Sequence, residues 1–195
     1  MKKANPADAT RHAKNSEESR FRDEDHDVIR LVLNGDTDRY KVLVKKYQGP
    51  VFNLFMKMIN NYEDAEELTQ DVFVRAYESL SGFNFKYRFF SWIYRIAINR
   101  ALAEQKHNQR HTDIEQIAHK LSENDEATRD QNAHIKMAID ALKDNYKAVV
   151  ILKYYEQLSY KEIAVVLEIP EKKVRSRLYD ARIKMKETLE KTGYF

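Results

Sequence analysis

The sequence predicts an all-α fold, with two small helical domains joined by a flexible linker. Three observations carry that expectation. Four glycines and three prolines in 195 residues leave little punctuation for hairpins. Apolar residues recur at helical spacing through most of the chain. Residues 106–130, "KHNQRHTDIEQIAHKLSENDEATRD", interrupt that pattern with a polar run poor in large apolar side chains. Charged residues make up 33% of the chain but the formal net charge is only +3, so a nucleic-acid surface must come from local segregation of charge. With no cysteine there is no disulfide framework and no thiolate metal site. No apolar run reaches the ~20 residues that span a bilayer, and the polar N-terminus lacks a signal-peptide core, so a cytoplasmic protein is expected.

Taken in order, residues 1–23 mix both charges with almost no large apolar side chains and are expected to form a disordered tail. The first domain is expected over 24–105. Val28, Ile29, Leu31, Val32 and Leu33 pack a short helix that Asn34-Gly35 ends. Tyr40, Leu43, Val44, Tyr47, Val51, Leu54, Phe55 and Met58 keep helical spacing, and Gly49-Pro50 is expected to kink or divide that helix. A third helix, 63–80, crowds Glu63, Asp64, Glu66, Glu67 and Asp71 against a single Arg75. Acids early in a helix complement its dipole, and an acidic face also suits a basic partner. A fourth helix, 91–105, has Ser91 as its cap. Trp92, Ile93, Ile96, Ala97 and Leu102 face inward, and Arg95, Asn99 and Arg100 lie outward or at the flanks. The linker is assigned to 106–131, with one helical turn near 114–121.

Between the third and fourth helices, "FNFKYRFF" (83–90) alternates rings and cations without a helical period. Packing alone does not explain it. Single-stranded DNA would, because bases stack on exposed rings while cations neutralise phosphates.

The second domain is expected over 132–195. Ser159 and Glu162 form a capping box for a short helix whose inner face is Ile163, Ala164 and Leu167. Pro170 opens the next helix, which buries Val174, Leu178, Ala181 and Met185. Tyr154, Tyr155 and Leu158 are expected in packing ahead of this pair. Two short helices joined by a tight turn make a helix-turn-helix. The second helix is basic, and Lys172, Arg175, Ser176 and Tyr179 share one outward face. Such a face can enter the major groove, with Arg reaching guanine edges and Lys and Ser gripping phosphates.

Three stretches in order resemble the extracytoplasmic-function (group IV) sigma factors of the sigma-70 family. "DAEELTQDVFVRAYESL" (64–80) is similar to the family's polymerase-binding helix. "FFSWIYRIAINRAL" (89–102) is similar to its promoter-melting and minus-ten segment. "LSYKEIAVVLEIPEKKVRSRLYDAR" (158–182) is similar to its minus-thirty-five reader. The resemblance implies a promoter-specificity subunit, not an enzyme, that is monomeric when free and needs no cofactor or metal. Its implied partners are the clamp coiled coil of the largest core polymerase subunit, promoter DNA as duplex and as single strand, and an anti-sigma factor, membrane-bound in some cases. It implies polymerase contacts at Asp64, Glu67, Gln70, Asp71 and Phe73. It implies minus-ten strand contacts at Phe85, Lys86, Tyr87, Arg88, Phe89, Arg95, Asn99 and Arg100. Minus-thirty-five contacts fall on Lys161, Lys172, Lys173, Arg175, Ser176, Arg177, Tyr179 and Arg182. The chain departs from the family pattern at several points. Lys143-Asp144 stands where a Leu-Pro pair is usual, Glu168 where Gly is frequent, Lys173 where Thr is common, and Asp180 where a basic residue is frequent.

Two other readings compete. A stand-alone helix-turn-helix regulator would have no use for a strand-opening surface. A hydrolytic or metal enzyme lacks a clustered constellation: His107, His111 and His119 have no supporting ligands, and His12, His26 and His134 are isolated.

Overall fold

The computed structural model describes residues 24–112 and 128–192, so the tail at 1–23 and the helical turn near 114–121 lie outside the described residues. Every regular element among the described residues is helical. Helix α1 (24–33) ends in a Schellman motif. Asp36 N–H bonds the Leu31 carbonyl, Gly35 N–H bonds that of Val32, and Gly35 takes φ +104°, which a side chain would disfavour. A 3-10 turn (Thr37–Arg39) leads into α2 (Tyr40–Ile59), and Asn60, left-handed at φ 59°, closes it.

Pro50 lies inside α2 and does not divide it, so of the expected kink or division the division is overturned. A proline inside a helix costs about 3 kcal/mol. On either side of it, Leu43, Val51, Leu54 and Phe55 are fully buried on one face, each contributing roughly 1.5–3 kcal/mol. The burial outweighs the lost hydrogen bond only if the helix continues through Pro50.

Helix α3 (Tyr62–Glu78) is capped by Asn61, whose side chain accepts from the Asp64 N–H. A 3-10 turn (Leu80–Gly82) and the loop 83–88 follow it. Helix α4 (Phe89–Thr112) begins two residues earlier and runs further than the sequence suggests. Ser91 is therefore buried in its first turn and is not its cap. Its deepest residues are Phe89, Ile93, Tyr94, Ala97, Ile98 and Ala101, with Trp92, Ile96 and Leu102 only partly buried. The inward face is rotated and wide because α4 packs on α2 and α3 on one side and on the C-terminal helices on the other.

The C-terminal group is α5 (Thr128–Asp140), α6 (Asp144–Val150), a π-helical turn (Ile151–Tyr155), α7 (Tyr160–Leu167) and α8 (Glu171–Lys191). Both halves of the Ser159–Glu162 capping box are present at α7, and Pro170 occupies the cap position of α8. Val166, unassigned from sequence, is buried beside Ile163 on α7, while Ala164 and Leu167 are half-buried. Tyr154 and Tyr155 are exposed, so of the expected core or helix-junction packing only the junction holds, Tyr154 against Arg182 of α8 and Tyr155 against Lys57 of α2. The π turn rotates them outward while Ile151 and Leu152 fill the core. One continuous apolar core runs through both groups.

Candidate nucleic-acid interface

The surface is best built from loop 83–88, because its rings do not share one fate. Phe83 is buried against Trp92, 5.5 Å between centroids, and Phe89 is 0% exposed between Tyr47 and Trp92. Phe89 was expected to face a strand, and that is corrected: as the first residue of α4 its ring turns into the core. Phe85 (36% exposed) and Tyr87 (48%) remain at the surface with Lys86 between them. The loop turns on Asn84, whose side chain accepts from Lys86 N–H and whose carbonyl accepts from Tyr87 N–H.

On α4, Arg95 and Arg100 are half-buried and Asn99 is exposed. Arg95 donates to the Glu168 carboxylate at 2.7 Å, and Arg88 to that of Glu162 at 3.2 Å. Both acids belong to the C-terminal group, on and just after α7. Partial burial pushes the Glu162 carboxyl up, but hydrogen bonds from Ser159 and the charge of Arg88 outweigh it and hold it below the usual carboxylate range. Glu156 bridges the same junction, accepting from Tyr94 Oη at 2.8 Å and from Lys57 Nζ at 3.3 Å. Burial, and next the Glu156 charge, push the Tyr94 phenol well up, so it stays protonated as a donor. A cleft of 530 Å³ opens along the junction, lined by Tyr87, Trp92 and Arg95 on one side and Lys161, Val165 and Pro170 on the other.

The acidic face of α3 is divided. Glu67 and Gln70 are exposed and Asp64 is half-buried. Asp71 accepts from Arg75 at 2.8 Å and also from Arg100 of α4. Partial burial raises its carboxyl, but both arginines outweigh that and hold it below the usual range. The Phe73 side chain is buried, which corrects its place in the expected contact set. Its backbone carbonyl accepts from Tyr40 Oη.

On α8, Lys172, Lys173, Arg175, Ser176, Tyr179 and Arg182 are exposed and Arg177 is half-buried, with exposed Lys161 nearby on α7. Arg175 pairs with Glu171 at 2.6 Å and Arg182 donates to Tyr154 Oη at 2.8 Å, which fixes two long side chains along one face. Among the described residues no cluster of three or more His, Cys, Asp or Glu could hold a metal, and no helix is long and apolar enough to cross a membrane.

Sequence reasoning missed the acids opposite the arginines and the burial of Asp25 and His26 in α1, since every partner is distant in sequence. A hint lay in α1, where Asp25 and His26 hold the positions one turn before Ile29 on its inward stripe.

The sigma-70 region 2 family matches residues 43–111 and sigma-70 region 4 matches 134–185. Those two regions define a sigma-70-class transcription initiation factor, a class whose members are not enzymes. The ECF RNA polymerase sigma factor SigW of Bacillus subtilis is 30% identical over 176 residues, covering 83% of this chain and 94% of that protein. The RNA polymerase sigma-H factor of Pseudomonas aeruginosa is 28% identical over 183 residues, covering 86% and 95%. The chain belongs to the extracytoplasmic-function family of sigma factors. Its fold is similar to CnrH, solved in complex with the cytosolic domain of CnrY (TM-score 0.63, 21% identity, 84% of this chain and 95% of that one). It is also similar to RpoE of Bartonella quintana, solved with the anti-sigma factor NepR (TM-score 0.61, 20% identity, 77% and 96%).

Proposed function

We propose that this sigma factor binds core RNA polymerase through the acidic face of α3, with Glu67, Gln70 and Asp71 as contacts. It captures the melted minus-ten non-template strand with Phe85, Lys86, Tyr87, Arg88, Arg95, Asn99 and Arg100. The outward face of α8 reads minus-thirty-five duplex through Lys172, Arg175, Ser176 and Tyr179. In this reading 24–105 is the polymerase and strand domain, 106–131 the linker and 132–195 the duplex domain. The observation that carries it is the pair of exposed rings, Phe85 and Tyr87, flanking Lys86 at the mouth of a helix that supplies Arg95, Asn99 and Arg100. Stacking on such a ring is worth ~1–3 kcal/mol per base, enough to offset much of the cost of unstacking it. An anti-sigma factor is a further partner in this reading, supported by the complexes in which CnrH and RpoE were solved.

The test combines the protein with sigma-free core polymerase. Co-migration with core and promoter-dependent initiation are expected. The double variant Phe85→Ala, Tyr87→Ala should keep core binding and lose permanganate reactivity in the bubble. An unchanged footprint overturns strand capture by this loop, and failure of the wild-type chain to co-migrate overturns the whole reading.

A further inference from the structure

Helix α1 reaches the aromatic loop across most of the first domain's sequence. His26 is 6% exposed, and its Nε2 lies 3.0 Å from the Tyr87 carbonyl. A carbonyl oxygen only accepts, so Nε2 carries the proton and donates. The same imidazole meets two rings edge to face: Phe83 at 5.6 Å and Phe85 at 5.3 Å between centroids. Phe83 and Phe85 meet each other at 5.1 Å. One turn along, the Arg30 guanidinium sits 5.1 Å from the centre of the Phe85 ring, held there by Asp27 at 2.7 Å. The exposed Phe85 ring thus has His26 roughly perpendicular to it and Arg30 over its face.

The anchor of α1 is equally specific. Its buried Asp25 carboxylate takes hydrogen bonds from Tyr47 Oη and from Lys46 Nζ, both on α2. The loop is tied to α1, and α1 is tied to the rigid body of the domain. An exposed aromatic side chain ordinarily samples several rotamers, and ordering it on binding costs affinity. Here Phe83, His26 and Arg30 already contact the Phe85 ring.

We propose that His26, with Arg30 beside it, is a positioning residue for strand capture. It touches no nucleic acid and acts by fixing the Tyr87 backbone and the Phe85 ring. This rests on the reading of loop 83–88 given above.

The test uses full-length chain assembled with core polymerase, and the probe is a pre-melted bubble template selected by the wild-type holoenzyme from a random-sequence pool. His26→Ala should weaken retention of that bubble by roughly threefold to tenfold, the range an edge-to-face aromatic contact supplies, with core binding unchanged. His26→Gln, which keeps an N–H donor near the same point, should recover most of the loss. In a Phe85→Ala background, His26→Ala should lose less than in the wild type, since only the Tyr87 backbone remains for it to fix. Equal losses in both backgrounds, or parallel losses in core binding and bubble retention, overturn positioning in favour of a general stabilising role. A loss in Phe85→Ala with none in His26→Ala overturns the positioning role alone. No loss in either variant overturns the reading of the loop itself and the proposal with it. The chain's single tryptophan gives a separate readout of the loop, since Trp92 packs edge to face on Phe83. Near-ultraviolet dichroism should change in His26→Ala, and an unchanged signal argues against the proposal.

Discussion

Glu168 is a residue in two roles at odds with each other. It ends α7 in the left-handed region at φ 51°, a conformation in which a side chain costs of order 1 kcal/mol and glycine costs little. Its carboxylate meanwhile holds Arg95, but the pair is largely exposed, and exposed pairs are worth about 0–1 kcal/mol. The backbone cost is therefore at least as large as the pair's contribution. Glu168→Gly should leave the denaturant midpoint unchanged or raise stability by up to about 1 kcal/mol, measured by urea unfolding. A clear fall would mean that the Arg95 pair dominates. The same scale explains how the aromatic run was misread in part. Its alternation of rings and cations marks an unusual surface, but nothing local tells Phe85 from Phe89. That choice is made by α1, which reaches the loop from more than fifty residues away, and by the start of α4 at Phe89.

The elements best legible in sequence are those whose signals are local. The capping box of α7 needs two residues three apart, and the outward face of α8 needs only helical spacing; the structure has both. Helix α2 is the counterexample. Gly49-Pro50 is a strong local stop, overridden by burial on both sides of it, which only tertiary packing supplies. Along α8, Arg175 is held by Glu171 one turn back and lies 5.5 Å from the Tyr160 ring, so it projects in a defined direction. Arg175→Ala should weaken upstream duplex binding by ~1–3 kcal/mol if the guanidinium makes a bidentate base contact, measured by fluorescence anisotropy against matched non-promoter duplex. Equal weakening on both duplexes would assign Arg175 to phosphate and not to a base.

At the scale of the whole molecule, the two helical groups share one core, and ion pairs border it at Arg88–Glu162, Arg95–Glu168 and Lys57–Glu156. Sequence reasoning gave both groups but not their contact, because a polar linker carries no signal about docking. Glu162 titrates below its unfolded value of roughly 4, so its contribution is complete above that value and is lost as pH falls through the folded one. The chain lacks cysteine, so Val42→Cys and Ile183→Cys can carry a unique dye pair on exposed sites of α2 and α8. Energy transfer measured at pH 7 should fall below about pH 4 before helical dichroism is lost. Transfer that tracks unfolding would mean that apolar packing alone holds the groups together. The junction also bears on ionic strength. Each phosphate neutralised on a single strand normally adds about 0.7 to the slope of log affinity against log salt, through release of condensed counterions. Arg88 and Arg95 must first leave a carboxylate, and salt weakens that bond too. Strand binding by the free chain is therefore less sensitive to salt than its number of arginine–phosphate contacts would give.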